Sequence, residues 1–156
     1  MIRQDRLLHS PPIAYPITGL ATLANSTVSP PGAVYDWDVN GPVGLHLMLN
    51  VAFAANPSGF GNINIITSFS ADGTIWSKID YPGLYAAGSW TDNGHPVMPQ
   101  PSPYNELYVQ DLQWLFAPGM APPRYLKFQV LNGSGQSFVS PTALSLVEIH
   151  RRSIEI

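Results

Sequence analysis

From Gly44 to Ala55 the chain alternates. Leu45, Leu47, Leu49, Val51 and Phe53 fall on one face, and His46, Met48, Asn50, Ala52 and Ala54 on the other. Five apolar residues at period two predict a strand with one side against a core. Asn56-Pro57-Ser58-Gly59 is a turn signal. Asn62 to Ser70 predicts the returning strand, with Ile63, Ile65, Thr67 and Phe69 facing one way. Upstream, Val34 to Val39 alternates and predicts a short strand closed by Asn40-Gly41-Pro42. Downstream, Asp72-Gly73 supplies residues that tolerate the left-handed backbone of a tight turn, and Thr74 to Ile79 predicts another short strand. Arg124 to Asn132 predicts a strand with Leu126, Phe128 and Val130 inward, turned by Asn132-Gly133-Ser134-Gly135. In the last predicted strand, Thr142 to Arg152, Leu144 and Leu146 take one face and Val147 and Ile149 the other. Apolar residues on both faces point to a strand covered on both sides over part of its length. Tyr104 to Leu115 reads equally as a strand or as a strand running into a helical turn.

Two stretches break the pattern. Residues 1–33 carry Pro11, Pro12, Pro16, Pro30 and Pro31. Proline removes a donor and biases its predecessor toward extended backbone, so this stretch predicts an extended N-terminal arm. Leu7, Leu8, Ile13, Tyr15, Ile17, Leu20 and Leu23 make it too apolar for a solvated linker, and it is expected to lie on its own domain or on a neighbour. Residues 81–103 are interrupted by Gly83, Gly88, Gly94 and five prolines, yet carry Tyr81, Tyr85, Trp90 and His95. A loop this long in a compact domain is usually functional or disordered, and its aromatic content argues for a packed or binding loop.

Six to eight strands, frequent turns and no strong helical period predict an all-β chain. The expected architecture is an antiparallel β-sandwich, jelly-roll-like, over 34–156, with the arm at 1–33. Composition agrees: Gly (13) and Pro (16) are high for a helical protein, and 45% of the 156 residues are apolar, enough for a core. Charged residues are only 11%, less than half the usual share, so much of the surface is expected to be covered by copies of the chain or by partners. No apolar run reaches the roughly 18 residues a membrane span needs, and a net charge of −3 gives no footprint for nucleic acid. The basic residues sit in small groups, among them Arg3 with Arg6 and Arg151 with Arg152. The first residues, MIRQDRLLHSPPIAYP, lack the apolar core of a secretory signal, which predicts synthesis in a cytoplasm.

Chemistry-bearing motifs are missing. There is no cysteine, hence no thiolate chemistry. His9, His46, His95 and His150 form no H-x-H or H-x-x-x-H pair, and no nucleophile elbow, P-loop or dinucleotide fingerprint is present. Asp36 and Asp38 share a strand face, better read as a solvated edge than as a calcium site. The expectation is a protein that is not an enzyme, with no catalytic residue, no cofactor and no metal.

Ser70-Ala71-Asp72-Gly73-Thr74-Ile75-Trp76 resembles the S-x-D-G-x-x-W hairpin of many bacterial and viral β-sandwich domains, discoidin-like surface-binding domains among them. The wider layout runs from a Pro-rich arm through a long apolar strand and this hairpin to an R-Y-L-K-F-Q-V strand followed by N-G-S-G. It is similar to the small virion structural proteins of tailed bacteriophages, capsid decoration (cement) proteins in particular. That resemblance implies a virion protein on the capsid surface, made in the host cytoplasm. Its partners would be the major capsid protein and copies of itself, as a dimer or trimer. The arm, through Arg3, Arg6, Leu7, Leu8, Ile13 and Tyr15, would be one interface. The loop residues Tyr85, Trp90 and His95 would be another. The alternative is a carbohydrate- or receptor-binding module in which those loop aromatics stack on a glycan.

Overall fold

The structure is a computed structural model that describes residues 3–57, 61–77, 89–91, 95–99, 102–112 and 123–155. In chain order the elements are β1 (Arg3–His9), β2 (Ile13–Tyr15), a 3-10 turn (Leu20–Thr22), β3 (Thr27–Val28), β4 (Tyr35–Asp36) and α1 (Trp37–Asn40). They continue with β5 (Gly44–Phe53), β6 (Asn62–Ser70), β7 (Ser89–Thr91), β8 (His95–Pro96), β9 (Asn105–Asp111), β10 (Tyr125–Gly133) and β11 (Phe138–Glu155). They form two antiparallel sheets. The first runs β1-β11-β5-β9 with β2 also on β11; the second runs β3-β10-β6-β7, with β4 on β10 and β8 on β6. The chain is an all-β sandwich.

The alternation of β5 sets the core. Leu45, Leu47 and Leu49 are wholly buried, with Val51 and Phe53 nearly so, and they meet Ile63 and Ile65 of β6, Leu126, Phe128 and Val130 of β10, and Leu144 and Leu146 of β11. Two sheet-to-sheet arches close one end of the sandwich. The first joins β5 to β6, the second β10 to β11, while β5 pairs with β11 and β6 with β10. The arches therefore stack. A Cβ on Gly61 would lie 2.5 Å from the Gly133 carbonyl oxygen, which is why glycine sits there. Asn132 anchors the stack: its side-chain amide donates to the Leu23 and Gln136 carbonyls (3.0 and 2.8 Å), and its oxygen accepts from the Ser134 N–H and hydroxyl (3.1 and 2.6 Å).

Three segments differ from the sequence reading. Residues 10–33 lie on their own domain, one of the two placements expected, but built into both sheets and the core rather than lying over them as an extended arm. β2 joins the first sheet, β3 joins the second, and the chain between them straps one side of the sandwich, placing Tyr15, Ile17, Leu20 and Leu23 in the core. Proline punctuation forbids long elements but not a two- or three-residue pairing, so the strap was invisible to periodicity. Second, the strand expected over 34–39 stops at Asp36. The Asp36 carboxylate accepts the Asp38 and Val39 N–H groups (3.1 and 3.3 Å) and caps α1 instead. Third, no strand forms over 74–77. Asp72 takes the Thr74 and Ile75 N–H groups (2.8 and 2.9 Å) that a strand would offer a neighbour. The rest of that expected strand, 78–79, lies outside the described residues.

Candidate interaction surface at the ribbon end

β11 outruns its partner. Its pairing with β5 ends at Gly44 opposite Ile149, while its pairing with β1 continues from His9 opposite Ile149 to Arg3 opposite Glu155. Beyond Ile149 the two strands form a ribbon of their own, overhanging one end of the sandwich. Directly opposed residues in an antiparallel pair share a face. Glu148 lies opposite the core residue Leu45, so the core-side face continues through Leu8 with His150 and Arg6 with Arg152. The outward face carries His9 with Ile149, Leu7 with Arg151 and Asp5 with Ser153.

The two faces differ electrostatically. On the outward one Asp5 accepts from the Ser153 hydroxyl (2.7 Å) and lies 4.0 Å from the Arg151 Nε. On the core-side face Arg6 stands across from Arg152, and neither guanidinium has an ion-pair partner among the described residues. Like charges directly opposed destabilise a ladder. With Arg3 and Arg151, this ribbon holds four of the seven basic residues of the chain.

The ribbon is anchored at its root. Ser10 and Glu148 exchange hydrogen bonds, the Ser10 N–H to the Glu148 carbonyl (2.8 Å) and the Glu148 N–H to the Ser10 hydroxyl (2.9 Å). The Glu148 carboxylate accepts from the Tyr35 hydroxyl (2.7 Å) and meets His150 Nε2 at 3.0 Å. Burial, then the Glu148 carboxylate, pushes the Tyr35 phenol well above its ordinary value. A phenol so raised holds its proton, which makes it a structural donor rather than a nucleophile. On the outward face the His9 and His46 rings stack, centroids 5.7 Å apart, and their register partners Ile149 and Val147 are buried. That is the two-sided cover the β11 pattern predicts.

β5 leaves this end at Gly44 and β6 returns to it at Ser70, opposite Tyr125, beside which Asp36 pairs. The ribbon, α1, the 71–77 turn and the start of β10 are therefore neighbours. Arg124 clamps Asp36 (3.1 Å) and approaches Asp38 (3.7 Å). Its guanidinium, followed by the N–H groups of Val39 and Asp38, holds the Asp36 carboxyl below the usual range. The clamp fixes α1 so that Val39 points outward, 74% exposed. Six of the eleven large apolar side chains exposed among the described residues belong to this end: Leu7, Leu8, Val34, Val39, Val43 and Ile75.

Of the residues singled out from sequence, Arg3, Arg6, Leu7 and Leu8 come together on the ribbon. Ile13 is exposed on β2, away from the overhang. Tyr15 is 5% exposed and belongs to the core of its own chain, so it is not available as an interface residue. The backbone places Trp90 opposite Thr67 and His95 opposite Ile63; Tyr85 lies outside the described residues. Sequence reasoning missed Val34, Val39 and Val43 as surface residues. It noted the Arg3/Arg6 and Arg151/Arg152 pairs separately, and only the β1–β11 register unites them. No group of three or more metal-ligating side chains occurs among the described residues, and none of their helices is long and apolar enough to cross a membrane. Compared with known proteins, the chain matches no family model, no curated protein and no solved structure.

Proposed function

We propose that the chain is a non-enzymatic virion structural protein, a capsid decoration protein that binds the outer shell of a tailed bacteriophage through its ribbon end. One observation carries this reading. A rigidly rooted ribbon, four basic residues and most of the exposed apolar side chains gather at one end of a sandwich otherwise poor in charge. Concentrated exposed apolar surface marks a docking site. Many copies on a symmetric shell turn modest contacts into large stabilisation. The alternative, a glycan platform of Tyr85, Trp90 and His95, rests on side chains outside the described residues.

The test is immunogold labelling of virions from the phage that encodes the chain, beside virions with the gene deleted. Label on the capsid surface, with deleted shells rupturing at lower temperature, is the expected result. Virions that lack the protein, or label confined to the tail, would overturn the decoration role.

A further inference from the structure

We propose that two copies of this chain pair through the ribbon end about a two-fold axis. The core-side face of each ribbon lies on the 34–43 segment of the other copy. The inference rests on the assembly reading above and names its self-contact.

Two surfaces within this single end are complementary. The ribbon face offers Arg6 and Arg152 with no carboxylate of their own, beside exposed Leu8. The neighbouring segment offers the reverse: the Asp38 carboxylate is 65% exposed and met only at 3.7 Å by Arg124, beside exposed Val34, Val39 and Val43. A surface that carries both halves of a complementary pair is what an isologous contact requires, because a two-fold rotation sets each half on the other's mate. A two-stranded ribbon is also marginal in water without something to cover it. Within its own chain the core-side face of the ribbon leaves Leu8 45% exposed. A second copy would cover that apolar surface, and Asp38 would offset the opposed arginines.

The experiment is light scattering after size exclusion, with sedimentation equilibrium, on the full chain at low and at high salt. Expected is twice the chain mass at low salt, with weaker association at high salt, since exposed charges are screened. Arg152→Glu and Asp38→Lys should each weaken association tenfold or more. The two changes combined should restore most of it, because the pair is re-formed with opposite sign. Val39→Ser, at a site outside the core, should weaken association without lowering the unfolding temperature of the dissociated chain at high salt. A monomer at every concentration at low salt would overturn the pairing, as would a dimer indifferent to Arg152→Glu and Asp38→Lys. Neither result touches the decoration role, which the virion labelling decides by itself.

Discussion

The Tyr15 hydroxyl accepts the backbone N–H of Phe128 at 3.1 Å, across 113 residues of sequence, and the two rings meet edge to face at 5.2 Å. The same hydroxyl donates to the Ala33 carbonyl. One side chain thus ties the strap to the middle of β10 and to the strap's own exit. Tyr15→Phe keeps the ring and deletes the bonds, leaving a buried N–H without its acceptor. Such an orphan costs about 1–3 kcal/mol. Urea unfolding should show the stability falling by that amount, read as a lower midpoint at an unchanged slope, and a variant as stable as the parent would mean the bond contributes nothing.

Burial also pushes the Tyr15 phenol up to about 12, the Phe128 N–H opposing it only in part. Tyr35 and Tyr108 are raised in the same direction, by burial first and then by Glu148 and Glu106 respectively. In the unfolded chain each would ionise near pH 10. A group whose folded value is raised contributes stability that is whole below the unfolded value and is lost as pH climbs toward the folded one. Stability should therefore hold up to about pH 10 and fall steadily between about pH 10 and 12. Tyr15→Phe should make that alkaline decline shallower. Melting temperatures across this range test it, and a flat profile would exclude buried neutral phenols.

How much of this was legible in the sequence depended on period. β5, β6 and β10 declared themselves because their inward residues repeat every second position over nine or ten residues, and the structure places them within one or two residues of the expected bounds. β11 declared its middle but not its length. The expected strand ends at Arg152; residues 153–155 are strand because β1 pairs with them, and neither partner alternates in a way that names the other. The strap was hidden for a related reason: Leu20 and Leu23 are core residues held by a 3-10 turn and by the Asn132 amide, not by an amphipathic element. The candidate surface was half legible. The two arginine pairs were visible at opposite ends of the chain, but their meeting is a fact of register. Val39 was misplaced because a capping carboxylate at Asp36 looks the same, in sequence, as a strand-edge carboxylate.

The stacked arches make a prediction that needs no chemistry. A methyl on Gly61 would meet the Gly133 carbonyl oxygen at 2.5 Å and the Ser134 Cα at 2.7 Å, both backbone atoms of the neighbouring arch. Backbone cannot rotate aside, so Gly61→Ala must separate the arches or strain them, an overpacking cost of about 1–3 kcal/mol. Thermal unfolding should report the loss. A neutral substitution would mean that the arches sit further apart than described.

Asn132 should be the most sensitive polar residue of the fold. It is fully buried, and its amide makes all four of its hydrogen bonds at the junction of strap and arch. Asn132→Ala takes one of two donors from each of the Leu23 and Gln136 carbonyls, which keep the Phe138 N–H and the Ser134 hydroxyl, and frees the Ser134 turn, a loss of about 1–3 kcal/mol. Asn132→Asp keeps the acceptor but loses the donors and buries a charge against two carbonyls. It should be the worse of the two near neutral pH, and the gap between them should narrow on acidification as the carboxyl is protonated. Equal stability at both pH values would show that the donors do not matter.

The strap and the ribbon divide the first 33 residues into parts with opposite predicted behaviour. Removing residues 1–8 takes away β1 up to Leu8, whose described side chains are exposed, and leaves Ser10, Tyr15 and the rest of the strap in place. That truncation should fold, with strand-rich circular dichroism and a melting temperature near the parent's, and should fail to self-associate. Removing residues 1–33 also deletes Tyr15, Ile17, Leu20 and Leu23 from the core. Cutting a single buried leucine to alanine costs about 2–5 kcal/mol, and a domain's whole margin is about 5–15 kcal/mol. The longer truncation should therefore be unfolded or aggregated. A folded, soluble chain starting at residue 34 would mean that the strap is dispensable. A shorter truncation that still associates would move the contact off the ribbon.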